Sequence, residues 1–254
     1  MIKNFLAVIL TALSCLSCNS QQATSGSATT SDVQEDVYTT RSGKQVTFTF
    51  IKHASLEIKY DGLSIQIDPV SKMNPETDYS KFEKSDFIFI THEHFDHFDK
   101  DAISTLTGDK TKIVLNKRCA EMLGKGQVMS NGETLKLRDD ITVEAVPAYN
   151  ITPDHLQFHP KGRDNGYVLN LDGVRIYIAG DTEDIPEMSN LKDIDIAFLP
   201  CNQPYTMTPE QLSNAARMFS PKVIYPYHYS DTPIEQVKEL LNDTKIHVKI
   251  RAMK

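Results

Sequence analysis

The sequence predicts an α/β fold in which two β-sheets pack together with helices outside them, a four-layer αββα sandwich in a single domain. Two observations predict this class. Strand-like runs occur in two blocks along the chain, and helix start signals follow the strands of each block. The chain is large enough for such a fold, because 254 residues with 40% hydrophobic content bury a substantial core.

The charge balance excludes one class of partner. Lys and Arg number 27 against 34 Asp and Glu, which gives a formal net charge of -7. Proteins that bind nucleic acid normally carry a basic patch on their surface. We therefore expect no nucleic-acid partner.

The N-terminal segment has the pattern of an exported protein. An apolar run over Phe5–Leu16 follows Lys3 and is too short to span a bilayer as a helix. The run ends in small residues and cysteine, and it resembles a bacterial lipoprotein signal, in which a lipobox cysteine becomes the acylated first residue of the mature chain. A polar tail follows Cys18 at once, which favours Cys18 over Cys15 as that residue. An ordinary secretory signal with incidental cysteines is the alternative.

These features divide the chain into three predicted parts. Residues 1–17 form the lipoprotein signal peptide, residues 18–36 form a flexible tether rich in Ser, Thr, Ala and Gln, and residues 37–254 form the globular domain. We expect a protein of the bacterial cell envelope that is bound to the membrane by an N-terminal lipid anchor and faces the periplasm or the surface. The remaining cysteines, Cys119 and Cys201, are predicted to be separate buried thiols.

Hairpin signals mark the antiparallel parts of the two sheets. One hairpin is predicted over Leu56–Ile67 with Asp61-Gly62 at its turn, and a second over Tyr167–Ile178 with Asp172-Gly173 at its turn. Between them, Ile141–Val146 alternates apolar and polar residues, which is typical of a half-buried strand.

Buried strands and helices are predicted to fill the rest of each block. Thr208-Pro209-Glu210-Gln211 combines a capping box with Pro at the first helical position, and Thr232-Pro233-Ile234-Glu235 repeats this start signal. Asp99 or Asp101 is expected to cap an earlier helix, and Ile246–Ile250 alternates as a last strand. Short apolar runs without alternation indicate strands buried on both faces: Phe87–Ile90, Ile113–Leu115, Ile196–Leu199 and Val223–Tyr225.

Residues of the types that bind metals are concentrated in Thr91–Asp99. His92 and His94 are two positions apart, so their rings project to the same side of an extended segment. Asp96 and His97 follow where the chain must turn toward the next helix. Imidazole nitrogens together with a carboxylate suit zinc, iron or manganese. The sequence therefore predicts a metal site directly after a buried strand, where α/β proteins commonly place functional groups.

The motif His92-x-His94-x-Asp96-His97 after an apolar strand resembles the signature of the metallo-β-lactamase fold superfamily. The resemblance extends from about Val46 to the C-terminus and includes an opening hairpin that ends in Asp68-Pro69. Ala179-Gly180-Asp181-Thr182 and Tyr225-Pro226-Tyr227-His228 resemble two further elements that carry metal ligands. Within the superfamily, the chain is similar to the compact branch of L-ascorbate-6-phosphate lactonase-like proteins and, more distantly, to N-acylphosphatidylethanolamine phospholipase D.

The resemblance implies a ligand set for two metal ions. His92 and His94 would bind one ion, and Asp181 would bridge it to the other. The ligands of the second ion would be Asp96, His97 and His228. Two zinc ions per chain are expected, with Mn²⁺ or Fe²⁺ as alternatives.

One element departs from the pattern of the superfamily. Where a histidine usually binds the first ion, this chain has Asn150, whose neutral oxygen is a weak zinc ligand. His159 follows nearby and is the predicted replacement. Asn150 itself, a water in its place, or loss of the first site are the alternatives.

The resemblance implies a metal-dependent hydrolase that acts with a metal-activated hydroxide on an ester, lactone or phosphodiester. Asp96 is the candidate catalytic residue, because a carboxylate beside the metals can orient the nucleophile or pass a proton to the leaving group. A small-molecule or lipid substrate is expected, and Lys161 and Arg163 are either anion ligands or solvated residues. The alternatives are a non-catalytic metal-binding lipoprotein of the same fold, a β-lactamase, and an iron protein with a flavin partner. His53 is expected to have a hydrogen-bonded structural role, with a role at the mouth of the site as the alternative.

Overall fold

The computed structural model describes residues 34–254. The predicted signal peptide, Cys15, Cys18 and most of the predicted tether lie outside the described residues. In the described part of the chain, no helix is both long and apolar enough to cross a bilayer.

The first β-sheet contains seven strands in chain order, β1 to β7. The first four pair antiparallel and the last three add in parallel, with helices α1 and α2 as the crossovers between the parallel strands. The bounds are β1 Gln34–Thr39, β2 Gln45–Lys52, β3 Ser55–Tyr60, β4 Leu63–Ile67, β5 Ser85–Phe89, α1 Lys100–Leu106, β6 Thr107–Leu115, α2 Lys117–Leu123 and β7 Gln127–Val128.

The second sheet repeats this topology with strands β8 to β14. Four antiparallel strands are again followed by parallel ones, and helices α3 and α4 connect the last three strands. The bounds are β8 Thr134–Arg138, β9 Ile141–Ala148, β10 Asp164–Leu171, β11 Val174–Ile178, β12 Ile196–Pro200, α3 Pro209–Phe219, β13 Val223–Tyr227, α4 Gln236–Leu240 and β14 His247–Val248. Short 3₁₀ turns lie at Tyr79–Lys81, Pro153–His155 and Pro186–Asn190.

The two sheets pack face to face around an apolar core, which confirms the predicted αββα sandwich. Phe50 of the first sheet meets Tyr225 of the second with ring centroids 4.9 Å apart. The sequence Phe87–Ile90 is apolar at every position because strand β5 is buried on both faces. Phe87 faces the core between the sheets, whereas Ile88 packs with the cluster beneath α1 and α2. On the other side of the sandwich, α3 covers the second sheet through Phe219.

Both predicted hairpins, the half-buried strand and the capping box of α3 are confirmed. Thr208 accepts a hydrogen bond from the Gln211 N–H while the Gln211 side chain accepts one from the Thr208 N–H. Asp99 is the cap of α1. Cys119 and Cys201 are both buried and free, as expected.

Three boundaries differ from the expectations. Strand β1 begins at Gln34, inside the segment predicted as tether and before the predicted domain start at Val37. Its side chains are mostly exposed, so it carries no apolar pattern to reveal it. Helix α4 begins at Gln236 without a side-chain cap, so the signal at Thr232-Pro233 forms turns and not a first helical turn. The last strand extends only over His247–Val248.

Candidate metal centre

The histidine-rich motif lies at the carboxyl end of β5, where the chain leaves the first sheet. A turn over residues 94–97 folds the chain back, and the His97 N–H donates to the His94 carbonyl at 3.0 Å. Asp99 closes the segment, because its carboxylate accepts a hydrogen bond from the Asp101 N–H at 2.9 Å and caps α1. Strand, turn and cap therefore hold the motif's side chains together at one end of the sheet.

Three imidazoles form the first group of candidate ligands. One ring nitrogen from each of His92, His94 and His159 lies within 4.8 Å of the others. The ring of His159 lies 4.9 Å from that of His92 and 4.8 Å from that of His94, measured between centroids. His92 and His159 are buried, whereas His94 is partly exposed.

The second group combines residues from both sheets. Asp96 and His97 come from the motif, and His228 follows β13 in the second sheet. His53, from the bend between β2 and β3, completes the group, in which all candidate ligand atoms lie within 4.8 Å of one another. The structure therefore brings together side chains that are far apart in the sequence.

Asp181 lies between the two groups, at the end of the chain segment that leaves β11. Its Oδ2 atom is 3.5 Å from His159 Nε2 in the first group and 3.2 Å from His228 Nε2 in the second. Its Oδ1 atom is 3.3 Å from His97 Nε2. The carboxylate is thus close to ligands of both groups, as a bridging residue must be.

His159 lies in the cluster, and the Asn150 side-chain amide is bonded to backbone carbonyls. The Asn150 amide donates to the backbone carbonyls of His155 at 3.2 Å and Tyr205 at 2.9 Å, so it serves to hold the loop. The Asn150 backbone N–H also donates to the His159 carbonyl at 2.9 Å. Asn150 thus fastens the loop that carries the replacement histidine.

Hydrogen bonds to Nδ1 orient three of the candidate ligands. His97 Nδ1 lies 2.8 Å from Asp68 Oδ2, and His159 Nδ1 lies 3.1 Å from Asp164 Oδ2. His92 Nδ1 lies 3.0 Å from the Thr91 hydroxyl, which itself donates to Asp68. These partners place the proton on Nδ1 and leave the Nε2 lone pair directed into the cluster, which is the arrangement of metal-bound histidines.

The polar atoms at the centre of the cluster fit a metal ion. Buried polar atoms are nearly always hydrogen-bonded, because an unpaired one costs free energy. Here His92 Nε2, His97 Nε2, His228 Nε2 and Asp181 Oδ1 are buried without a hydrogen-bond partner, although carboxylate oxygens lie near some of them. Imidazole nitrogens and carboxylate oxygens in this number are a donor set for zinc, iron or manganese.

The pKa shifts of the histidines in the cluster also fit a bound metal ion. Burial, followed by the neighbouring His97, lowers the pKa of His92 well below 6.5, so its ring is neutral, as a ligand must be. Burial also acts to lower the pKa of His97, but the carboxylates of Asp181, Asp68 and Asp96 together outweigh it and raise that pKa. Asp68, Asp96 and Asp181 therefore favour a positive charge at this point, which a metal ion can supply as well as a proton.

Sequence reasoning missed two residues of the site. Asp68 was visible only as part of Asp68-Pro69, and Asp164 had no signal besides its closeness to His159 in the chain. A hydrogen-bonded structural role or a role at the mouth of the site was expected for His53. Its Nε2 atom lies 3.2 Å from Asp96 Oδ2, and its ring centroid lies 3.7 Å from that of His228. The hairpin position of His53 gave no indication that the bend faces the other sheet.

A cavity of about 450 Å³ opens onto the metal centre. Its wall combines candidate ligands with apolar and neutral polar side chains. The lining residues are His53, Met73, His94, Phe95, Asp96, Phe158, His159, Asp181, Asn202, Tyr205, His228 and Ser230. A small substrate in this cavity would therefore lie against both groups of ligands.

Comparisons with known proteins show what this chain is similar to. Residues 47–228 match the family model described as the beta-lactamase superfamily domain. A UPF0173 metal-dependent hydrolase of Thermococcus kodakarensis is 32% identical over 210 residues, which are 76% of this chain and 91% of that protein.

Two solved structures are similar over most of the described domain. A protein of Parabacteroides distasonis, described as a metal-dependent hydrolase, is 55% identical with a TM-score of 0.85, covering 87% of this chain and 100% of its own. The metallo hydrolase Igni18 of Ignicoccus hospitalis is 27% identical with a TM-score of 0.68, covering 82% of this chain and 95% of its own. The chain therefore belongs to the UPF0173 family of metal-dependent hydrolases within the metallo-β-lactamase superfamily.

Proposed function

We propose that this site binds two zinc ions and hydrolyses an ester, lactone or phosphodiester bond, with Mn²⁺ or Fe²⁺ as alternative metals. The observation that carries the proposal is the position of Asp181, whose carboxylate is close to ligands of both groups. Two groups of ligands that share one carboxylate are the arrangement used by two-metal hydrolases.

In this proposal the side chains divide between two positions. His92, His94 and His159 hold one ion, and Asp181 reaches both. Asp96, His97 and His228 hold the other. Metal ions bound there would lower the pKa of a water molecule and stabilise negative charge that develops on the substrate.

The chain's own groups supply orientation and proton transfer. Asp96 is the proposed catalytic residue, because its side chain is 18% exposed and lines the cavity, whereas Asp181 is buried. His53 lies within hydrogen-bonding distance of the Asp96 carboxylate and would hold it in place. On another part of the wall, Asn202 Nδ2 lies 3.3 Å from the Ser230 hydroxyl, and both are available to bind a polar substrate group.

The alternative of a non-catalytic metal-binding lipoprotein was motivated by Asn150, which stands where the superfamily usually has a histidine. With His159 in the cluster, the first site has three imidazoles without Asn150, which supports the hydrolase instead. No feature of the cavity favours a β-lactam over other substrates.

Metal content and turnover test the proposal together. The protein, purified without chelator, is expected to contain about two ions per chain by elemental mass spectrometry. It should hydrolyse members of a panel of esters, lactones, phosphodiesters and a β-lactam. His97→Ala should abolish turnover and lower the metal content, whereas His247→Ala on the exposed edge should change neither. A two-metal protein that hydrolyses nothing in the panel, or a His97→Ala variant with full activity, would contradict the assignment.

We also propose, from the sequence, that Cys18 is lipidated and anchors the domain in the cell envelope. The folded domain begins at Gln34, which leaves a tether of about 15 residues after Cys18. Labelled palmitate should enter the wild-type protein and the Cys15→Ser variant but not Cys18→Ser. Labelling of Cys18→Ser would assign the anchor to Cys15, and no labelling at all would indicate an ordinary secretory signal.

A further inference from the structure

We propose that the substrate of this site is uncharged and carries an apolar acyl or aryl group beside the bond that is cleaved. The site would then prefer neutral esters and lactones to phosphorylated compounds. The inference rests on the proposed hydrolytic function and specifies its substrate class.

An aromatic wall borders the metal centre. Phe95 lies between the candidate ligands His94 and Asp96 in the chain and is 80% exposed. Phe158 and Tyr205 stand in the same cavity with their rings 5.0 Å apart, edge to face. These three side chains present apolar surface beside the ligands, where one end of a bound substrate must lie.

Hydrogen bonds hold the two loops that carry Phe158 and Tyr205 before any substrate binds. The Asn150 amide donates to the Tyr205 carbonyl and so joins the loop that carries Phe158 to the loop that carries Tyr205. At the start of the first loop, the Glu183 carboxylate is buried and accepts the backbone N–H groups of Ile151 and Thr152 at 2.7 and 2.6 Å. A preformed apolar wall binds an apolar group with little loss of conformational entropy.

Among the described residues that line the cavity, there is no Lys or Arg. The nearby cations are already paired with carboxylates. Lys161 Nζ lies 2.8 Å from Glu187, and Arg163 Nε lies 2.7 Å from Asp164. Both cations line a separate surface depression with Lys117 and Arg118.

The composition of the cavity determines which substrates it suits. Recognition of a phosphate dianion normally uses Arg, Lys or the N-terminus of a helix in addition to any metal. This cavity instead offers the neutral donors Asn202 and Ser230 and the carboxylate of Asp96. An added phosphate group would find no protein cation there, whereas an alkyl or aryl group would cover the aromatic wall.

Hydrolysis of matched p-nitrophenyl compounds by the metal-loaded protein tests the inference. We expect kcat/KM for the hexanoate ester to exceed that for the acetate ester about tenfold, because the longer chain covers the wall. The phosphate monoester should react about 100-fold more slowly than the hexanoate ester. Phe158→Ala should remove the preference for hexanoate mainly through KM, and Phe158→Leu should retain most of it.

Leu156→Ala is the matched control. Leu156 is exposed in the same loop but does not line the cavity, so this variant should retain the preference. Equal rates for acetate and hexanoate in the wild type, or a phosphate ester that reacts as fast as the hexanoate ester, would overturn the inference. So would a Leu156→Ala variant that loses the preference as Phe158→Ala does.

Binding measurements separate this inference from the proposed function. If no compound is hydrolysed, the proposed function fails, and calorimetry with hexanamide, acetamide and inorganic phosphate then decides the inference alone. Hexanamide that binds about tenfold more tightly than acetamide, with a preference that depends on Phe158, supports the apolar substrate class. Phosphate as the tightest ligand refutes it.

Discussion

Asp68→Asn is expected to weaken metal binding although Asp68 is not a proposed ligand. The carboxylate accepts three hydrogen bonds: from the Thr91 N–H at 2.8 Å, from the Thr91 hydroxyl at 2.6 Å and from His97 Nδ1 at 2.8 Å. Asn retains one oxygen and replaces the other by an NH₂ group, which can only donate. Depending on the orientation of the amide, either the Thr91 N–H or both the Thr91 hydroxyl and His97 Nδ1 then lose their acceptor.

The orientation of the introduced amide decides which interaction is lost. With its oxygen toward the Thr91 N–H, the amide would direct its NH₂ group at His97 Nδ1. His97 would then have to carry its proton on Nε2, the atom that faces the metal centre. In the opposite orientation, the NH₂ group would face the Thr91 N–H. Both groups are donors, so neither would have an acceptor. The first orientation is therefore the expected one, and it blocks a ligand atom.

The magnitude follows from the loss of an orienting partner. Removal of such a group from a metal-bound histidine typically lowers metal affinity about 10- to 100-fold. That change corresponds to about 1.4 to 2.8 kcal/mol. We expect this loss for one of the two ions, because the proposed function assigns His97 to the ion held with Asp96 and His228, while the ion held with His159 should be retained more tightly.

Competition for zinc with a chromophoric chelator measures both affinities. Asp139→Asn is the matched control, since its side chain is fully exposed and contacts Lys136 at the surface. A thermal melt of each metal-free variant establishes that the protein is folded. If Asp68→Asn binds both ions as tightly as Asp139→Asn, the argument from the proton position of His97 is wrong.

Three further predictions concern the framework of the site. Asp36 accepts hydrogen bonds from Arg251 at 2.7 and 2.8 Å. Burial acts to raise its pKa, but the hydrogen bonds from Arg251, Tyr225 and Lys249 together outweigh burial and hold the pKa below 3.8. Ionised Asp36 therefore stabilises the fold fully above about pH 4. This stabilisation is lost as the pH falls through the lower pKa that Asp36 has in the folded state. Asp36→Asn should cost about 2 kcal/mol in urea unfolding at pH 7 and less at pH 3, and equal losses would contradict this. In the Gly180→Ala variant, the new Cβ would lie 3.0 Å from a backbone oxygen of β10, at a residue whose φ is +65°. The melting temperature of this variant should be well below that of the control Gly43→Ala, whose Cβ would have no atom within 4 Å. Lys52→Met removes an ammonium group that donates to three backbone carbonyls of the 71–75 loop and so holds the loop in place. Amide hydrogen exchange in that loop should become about tenfold faster or more. Unchanged exchange rates would refute the role of Lys52 in holding the loop.

Local chemistry determined much of the framework from the sequence alone. A turn such as Asp61-Gly62 adopts positive φ values that favour a hairpin, and the reciprocal bonds of Thr208 and Gln211 start a helix within four residues. The motif from His92 to His97 could also be recognised from the sequence, because all of its residues lie in one short segment that comprises the end of a strand and one turn. Strand β1 and the start of α4 were misjudged where exposed side chains or a weak cap left no local pattern.

Only the tertiary structure decided how distant residues combine. Asp181 and His228 meet the motif because the parallel strands of both sheets end at the same edge of the sandwich, which follows from the packing of two cores and not from any short segment. The loop that carries His159 is joined through the Asn150 amide to Tyr205, a residue 55 positions away from Asn150 in the chain. The roles of His53, Asp68 and Asp164 likewise depend on contacts across sheets or loops. Sequence periodicity reports which face of an element is buried, but it carries no information about which elements face one another.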